Sequence, residues 1–438
     1  MGEAPNINAG SRLSIEWLGR IFRQIYWTVL DQALVGSANF ITNIVLARWL
    51  VPVEYGGYVF ASTLFYLITS VYAGLVSEPA MVFGVNRFRD RLSPYFAVVT
   101  SLHWYLSLIL AGGVAAAGLV LICWGCKPCG SGMLGYAFAI PFFLRMWLLR
   151  RTLYVRSLVP LAAGMGGVYL AGVLAMIYML YRFAVLSAFT APFAATSASV
   201  VAVATCMSMG PARVQSPQGG NFTREVAAAH WNYGRWAVLR GLLGWLPNSL
   251  YYFVLPILAG LEANAALNAL FALILPATQV NFALWLLLVP VFGRMRQRRR
   301  FVPVVWAAAA ALAAGGALYA VLVGLFSRPV MNFLYAGRYD QYAHFGWLIG
   351  LVAVTNAVNA VLGSALCACE RPDRALWANI SAVTTSCTFG VIATAIWGLL
   401  GAILGFLAAD LAATLASLWL FLHTDHRDSP QIVSAGPI

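Results

Sequence analysis

The chain has 438 residues, 61% hydrophobic and 9% charged, with a mean hydropathy of +0.80. That composition is foreign to soluble globular domains and leaves no room for a sizeable one. The net charge of +13 rests almost wholly on arginine, and the single lysine, Lys127, is followed by proline. This argues against a phosphate-binding P-loop and a pyridoxal-phosphate lysine. No His-Glu-x-x-His and no nucleophile elbow occurs, and His423 and His426 stand too far from other ligands to form a metal site. No catalytic residue, cofactor or nucleic-acid partner is therefore expected, and the basic excess is read first as membrane orientation.

In chain order, residues 1–10 are polar and read as disordered, with no cleavable signal peptide. Trp17, Leu18, Ile21, Phe22 and Ile25 then share one helical face, away from Arg20, Arg23 and Gln24. The pattern fits an amphipathic helix on the membrane surface, or an extension of the first span. Spans long enough for a bilayer are expected at 28–50, 56–83, 95–123, 131–149, 157–180, 184–207, 232–259, 262–292, 302–326, 342–368, 375–397 and 399–422.

The first two spans are separated at Val51-Pro52, where proline withholds a helix hydrogen bond. Glu54-Tyr55-Gly56-Gly57 is expected as a turn and the next helix from Tyr58. Glu78-Pro79 marks a kink in the second span. Cys126 and Cys129 form a CxxC in a loop, where a disulfide depends on the redox compartment.

With the N-terminus in the cytoplasm, the inner segments receive Arg87, Arg89, Arg91, Arg145, Arg150, Arg151, Arg156, Arg213, Arg224, Arg235, the cluster from Arg294 to Arg300, Arg371, Arg374 and Arg427. The outer side receives Arg48, Lys127, Arg182, Arg328 and Arg338. This bias fixes the orientation, with both termini cytoplasmic.

The longest inner connection, 208–231, is polar and rich in Gly, Pro and Ser. The chain is thus expected to comprise a cytoplasmic N-terminus (1–27), an N-lobe of six helices (28–207), a linker (208–231), a C-lobe of six helices (232–422) and a cytoplasmic tail (423–438). The lobes echo each other: VLARWLVPVEYGGYVFA at 45–61 parallels VLPILAGLEANAALNALFA at 254–272, each an apolar helix, a short break with a glutamate, and a new helix. Both copies run in the same direction, so the repeat is parallel.

Two stretches carry a family resemblance. ITNIVLARWLVPVEYGGYVFA, and FLYAGRYDQYAHFGWLIGLVAVTNAVNAVLGSALCACERPDRA at 333–375, resemble the opening and the tenth span of the Wzx-type polysaccharide flippases of the MOP superfamily. The resemblance implies an all-α polytopic membrane protein with two six-helix bundles around a central cavity. It implies transfer of an undecaprenyl-diphosphate-linked oligosaccharide between leaflets of the bacterial inner membrane, driven by an ion gradient or the membrane potential without ATP. Membrane lipids, a polysaccharide polymerase and export machinery are the partners that follow. MATE drug exporters share the superfamily, so a MATE-like exporter is the alternative; a membrane polysaccharide polymerase or acyltransferase is a more distant one.

Such a cargo needs cations for the diphosphate, amides for sugar hydroxyls and a gap for the lipid tail. Arg48 and Arg240 are the expected diphosphate ligands, against snorkelling to the interface. Asn39, Asn43, Asn248, Asn356 and Asn359 are the expected sugar ligands, against hydrogen bonding between helices. Asp410 and Glu78 are the expected ion-coupling carboxylates, and for Asp410 the alternative is an arginine pair that only holds the bundle. Arg145, Arg150, Arg151 and Arg156 read as orientation signals, and Asp31 as a solvated residue near the inner boundary.

Overall fold

The computed structural model describes residues 7–209, 219–295, 301–369 and 372–423. Residues 1–6, positions 210–218 of the expected linker (208–231) and positions 424–438 of the expected tail (423–438) lie outside the described residues, as do the side chains of the expected amphipathic face at 14–22. Every regular element among the described residues is helical. Eleven helices are long and apolar enough to cross a membrane, or twelve when one pair bent by 51° counts as a span. The chain is a multi-pass membrane protein, because in hydrocarbon each backbone amide must be satisfied within its own helix.

The chain divides into two compact units at Leu242/Leu243, downstream of the expected linker. Unit 1 opens with α1 (Ile7–Trp49), one continuous helix. The stretch at 14–27 is therefore helical in continuity with the first span, and residues 7–10, expected as disordered, already belong to it.

The break at Val51-Pro52 is present but tighter than expected, because α2 (Pro52–Tyr72) begins at the proline itself. Proline at a first helical position loses no hydrogen bond, since that N–H would be unpaired anyway. Glu54 to Gly57 thus form the first turns of α2 and not a separate reversal. Gly57 serves packing here: a Cβ would lie 2.6 Å from the Pro128 backbone.

A π-helical turn, Ala73–Ser77, joins α2 to α3 (Glu78–Val85). The expected irregularity at Glu78-Pro79 takes this form: the extra residue in the turn accommodates a proline that cannot donate.

Unit 1 continues with α4 (Leu92–Cys123), α5 (Lys127–Val155), α6 (Val159–Arg182), α7 (Ala191–Ser208) and the first part of α8 (Gly220–Ser249). Cys126 caps α5 and Cys129 is buried in its first turn, so the CxxC is a helix start and both thiols are free. α5 packs against α2, α4 and α7, and its apolar window is 72% buried, the highest of any span among the described residues. α5 is therefore the central post of unit 1.

α8 starts at Gly220, inside the stretch expected as a linker, and its first part is tied to the preceding helices. Arg87 meets Glu225 at 2.8 Å, and His230 bonds the Tyr95 hydroxyl at 2.9 Å and the Leu75 carbonyl at 3.1 Å. A Cβ on Gly234 would sit 3.0 Å from the Gly74 carbonyl oxygen, so the helices touch backbone to backbone there.

Unit 2 holds the end of α8, α9 (Tyr251–Leu258), α10 (Leu261–Ala272), α11 (Leu275–Met295), α12 (Phe301–Tyr335), α13 (Gly346–Ala368), α14 (Pro372–Thr385), a π-helical turn (Ser386–Gly390), α15 (Val391–Trp397) and α16 (Leu399–Leu422). α13 packs on α11, α12 and α16 around Phe292, Phe301, Val361, Leu366 and Phe421. The parallel with unit 1 is visible locally. α9 ends and α10 begins across a short break, Gly260 enters at φ 86°, a value glycine tolerates, and Glu262 stands in the first turn as Glu54 does in α2.

The structure overturns the reading of Asp31 as solvated and of Arg150 as an orientation signal. Asp31 is 0% exposed and Arg150 3%. The Arg150 Nε and Nη2 donate to the two Asp31 carboxylate oxygens at 3.1 and 2.6 Å, and the Tyr154 hydroxyl donates to the second oxygen at 2.7 Å. The pair joins α1 to α5, and α6 fits against it through Gly166, where a Cβ would lie 3.3 Å from Asp31 Oδ1. Removing one partner of such a pair strands a buried charge. Arg150→Met should cost about 3–5 kcal/mol of stability, read as a large fall in the unfolding midpoint in detergent. Asp31→Leu combined with Arg150→Met should recover most of it, and an unchanged midpoint for the single variant would show that the pair does not hold α1 to α5.

Candidate functional site

The candidate site in unit 1 is a cavity with about 40 Å³ of room, lined by α1, α2, α5, α6 and α7. Asn39, Thr42 and Asn43 face it from α1, because positions three and four apart share a helix face. Tyr58 and Tyr66 come from α2, Tyr136 and Phe143 from α5, and Tyr169 from α6. The Asn43 side-chain oxygen accepts from the Tyr55 hydroxyl at 3.2 Å. Thr42 Oγ1 is buried with no hydrogen-bond partner among the described residues. Phe65 stacks on Tyr136 at 4.7 Å, and Tyr136 lies 5.8 Å from Tyr58, so the wall is an aromatic cluster with hydroxyl tips. The lining is amide, hydroxyl and phenol, with no carboxylate among its residues. Its volume admits water or one small polar group, not a sugar ring.

The structure thus brings Asn39 and Asn43 together and leaves Arg48 apart. Arg48 lies nine residues beyond Asn39 on α1, about half a turn round the helix, and it is exposed. The neighbouring Trp49 stacks on Tyr181 at 4.1 Å and fixes the end of α1 against α6.

Arg240 and Glu78, expected in separate roles, form one ion pair at 2.8 Å between α8 and α3, with side chains 68% and 39% exposed. Little of the protein covers the pair. Glu54, used in the sequence only as a marker of the repeat, accepts from the Ala188 amide at 2.9 Å and so holds the α6–α7 loop.

In unit 2 the expected amides serve contacts between helices. Asn356 on α13 accepts from Asn281 of α11 at 3.3 Å, and Asn359 accepts from Ser417 of α16 at 3.0 Å. Asn248 donates within α8 to the Gly244 carbonyl at 3.1 Å and is exposed. Asp410 lies mid-helix in α16, with no arginine paired to it among the described residues, and its backbone carbonyl accepts from Thr414 at 2.7 Å.

Sequence reasoning missed the tyrosines and Thr42. Tyr58 and Tyr66, eight residues apart on one span, carry a helical-face signal that the sequence does display. Tyr136 and Tyr169 sit on other spans, and no local pattern joins them to α1. Among the described residues no group of three or more His, Cys, Asp or Glu side chains is arranged to hold a metal ion.

No family model and no curated relative matches this sequence. Solved structures do match in fold. An inward-facing multidrug resistance MATE family transporter of the MOP superfamily aligns over 90% of this chain and 97% of its own, at 15% identity and a TM-score of 0.69. The lipid II flippase MurJ, in an inward closed conformation, aligns over 91% and 87%, at 11% identity and a TM-score of 0.69. A MOP superfamily transporter from Pyrococcus furiosus, whose reverse polarity of binding pocket suggests a different function, aligns over 94% and 96%, at 11% identity and a TM-score of 0.62.

The pairing of α3 with α8 can be tested without reference to cargo. Arg240→Glu alone should place two acids together and reduce the yield of monodisperse protein, while the exchange Glu78→Arg with Arg240→Glu should restore it. A wild-type yield for the single variant would show that the pair does not tie the helices. With the geometry and the full-length alignments together, the chain has the helical fold of the MATE and MOP transporters.

Proposed function

We propose that this protein is a flippase that moves a lipid-linked oligosaccharide, carried on undecaprenyl diphosphate, across the bacterial inner membrane by alternating access. One observation supports this over export of cations. In unit 1, Asp31 and Glu78, two of the carboxylates within spanning helices, each hold an arginine, and Glu54 in the first turn of α2 is held by the Ala188 amide. Arg48 has no carboxylate partner among the described residues. The cavity of this unit is lined by no carboxylate, and the arginine near its end of α1 is left without one. A diphosphate crossing hydrocarbon needs such cations, because an unpaired buried charge costs several kcal/mol. Arginine suits it through paired, charge-assisted hydrogen bonds.

Glu78 and Arg240 then act as a unit. Arg240 exchanges Glu78 for the diphosphate, which frees the Glu78 carboxylate for the coupling cation, and departure of the cargo restores the pair. Arg48 is the second diphosphate ligand, and Asn39 and Asn43 meet sugar hydroxyls when their cavity widens. Asn248, exposed on α8, is a further sugar ligand, whereas Asn356 and Asn359 contribute only if their contacts between helices open. Asp410 is the ion-coupling carboxylate of unit 2. The orientation places both termini in the cytoplasm, and a polysaccharide polymerase and export machinery receive the product.

A MATE-like exporter of amphipathic cations is the second reading. It is favoured by Asp410, an intramembrane carboxylate with no arginine partner among the described residues.

A deletion strain should accumulate the lipid-linked repeat unit in the inner leaflet. Wild type should clear it, and Arg48→Ala or Arg240→Ala, at equal protein level, should leave it in place. Normal appearance of the repeat unit in the outer leaflet of the deletion strain, with no second transporter substituting, would refute the proposal.

A further inference from the structure

A second concavity of unit 1 lies on the other side of α5. It is a groove of about 530 Å³, floored by α5 and walled by α4 and α7, within the roughly 300–1,000 Å³ of pockets that bury most of a drug-sized ligand. Trp104, Phe142, Val200 and Met207 line it, and they are 38%, 39%, 42% and 46% exposed. Arg145 is the one charged residue of its lining. Nine residues separate Arg145 from Tyr136, about two and a half helical turns, so Arg145 points away from the amide and phenol cavity. The groove thus belongs to the flank of the unit and is separate from the transport residues proposed above.

Arg145 gives the groove a sign. It donates to the Thr100 hydroxyl at 3.3 Å, and no carboxylate pairs with it among the described residues. The groups near enough to feel its charge, Tyr72 and His103, are bonded to each other at 2.9 Å and supply no negative charge. Arg145 also sits deep. It lies ten residues from the end of α5 at Val155, about 15 Å along the axis, and five residues, about 7.5 Å, inside Arg150. Trp104 and Phe142 lie one turn further in on their helices, while the α7 wall runs from Val200 to Met207, one residue short of that helix's end. A single cation among apolar walls matches a phosphate joined to a hydrocarbon chain.

We propose that this groove is a binding site for an anionic glycerophospholipid of the surrounding bilayer, with its phosphate on Arg145 and Thr100 and one acyl chain between α4 and α7. Charge complementarity selects the occupant: an uncompensated guanidinium favours a lipid of net negative charge over a zwitterionic one, whose own ammonium competes for the phosphate. The site is independent of the cargo, so the proposal stands or falls apart from the flippase reading.

The test uses the full-length protein in detergent, titrated with phosphatidylglycerol or phosphatidylcholine of identical acyl chains and read by native mass spectrometry and by thermal shift. Phosphatidylglycerol should bind saturably to one high-affinity site and raise the unfolding midpoint, and phosphatidylcholine should not. Arg145→Ala should weaken phosphatidylglycerol binding about ten-fold, the size expected for one charge-assisted contact, and Arg145→Lys should recover part of it. Ala204→Trp, at an exposed position on the groove wall, should block the chain while leaving Arg145 in place, which keeps the test valid if Arg145→Ala folds poorly. Equal binding of both lipids, or phosphatidylglycerol binding unchanged by Ala204→Trp, would overturn the site. Selective binding of undecaprenyl phosphate that displaces phosphatidylglycerol would also overturn it, by assigning the groove to the cargo.

Discussion

A carboxylate with no exposure to solvent inside an apolar bundle is tolerable only when its charge is met in full. Asp31 meets that demand with both donors of Arg150 and the Tyr154 hydroxyl. Because Arg150 belongs to α5, the pair fastens the first span to the most buried one, and α6 must present a glycine to fit beside it. The position of α1 follows, and with it the faces of Asn39, Thr42 and Asn43. The polar wall of the cavity is thus set by an ion pair elsewhere on the same helix. Removing the pair outright for apolar groups of similar size would keep the stability and lose little else, whereas breaking half of it would not.

The same constraint explains how charge is distributed over unit 1. Asp31 and Glu78 are each met by an arginine, the first pair dry and buried, the second exposed. The dry pair is fixed. The exposed pair, Glu78 and Arg240, lies just after a π-helical turn, and little of the protein covers it. A π-helical turn followed by proline also breaks the regular ladder of backbone hydrogen bonds, so an irregular helical segment lies beside an exposed charge pair.

Much of this was legible in the sequence, and what was legible is local. Span positions came from apolar runs, the break at Val51-Pro52 from proline chemistry, and the parallel between 45–61 and 254–272 from similar helix–break–helix patterns. The start of α2 was misplaced because the two glycines were read as turn residues. In the structure Gly57 instead makes room for Pro128. What failed is what depends on distant partners. Asp31 and Arg150 are 119 residues apart, and Glu78 and Arg240 are 162 apart, so nothing in either local pattern announces the pairing. Arg150 lay in a row of inner arginines that serve orientation equally well, and only packing distinguishes it from Arg151. Asn39 and Asn43 were found because their spacing is helical. The tyrosines opposite them, on three other spans, were not.

The central claim, that the cargo is an anionic lipid-linked sugar, is most directly tested in proteoliposomes that contain only this protein. Transbilayer movement of a fluorescent prenyl-diphosphate oligosaccharide should be compared with that of a fluorescent amphipathic cation, each under an imposed proton gradient. The account predicts protein-dependent movement of the prenyl-diphosphate sugar, reduced by Arg240→Ala, and no movement of the cation. Movement of the cation alone, reduced by Asp410→Asn and indifferent to Arg240→Ala, would contradict it.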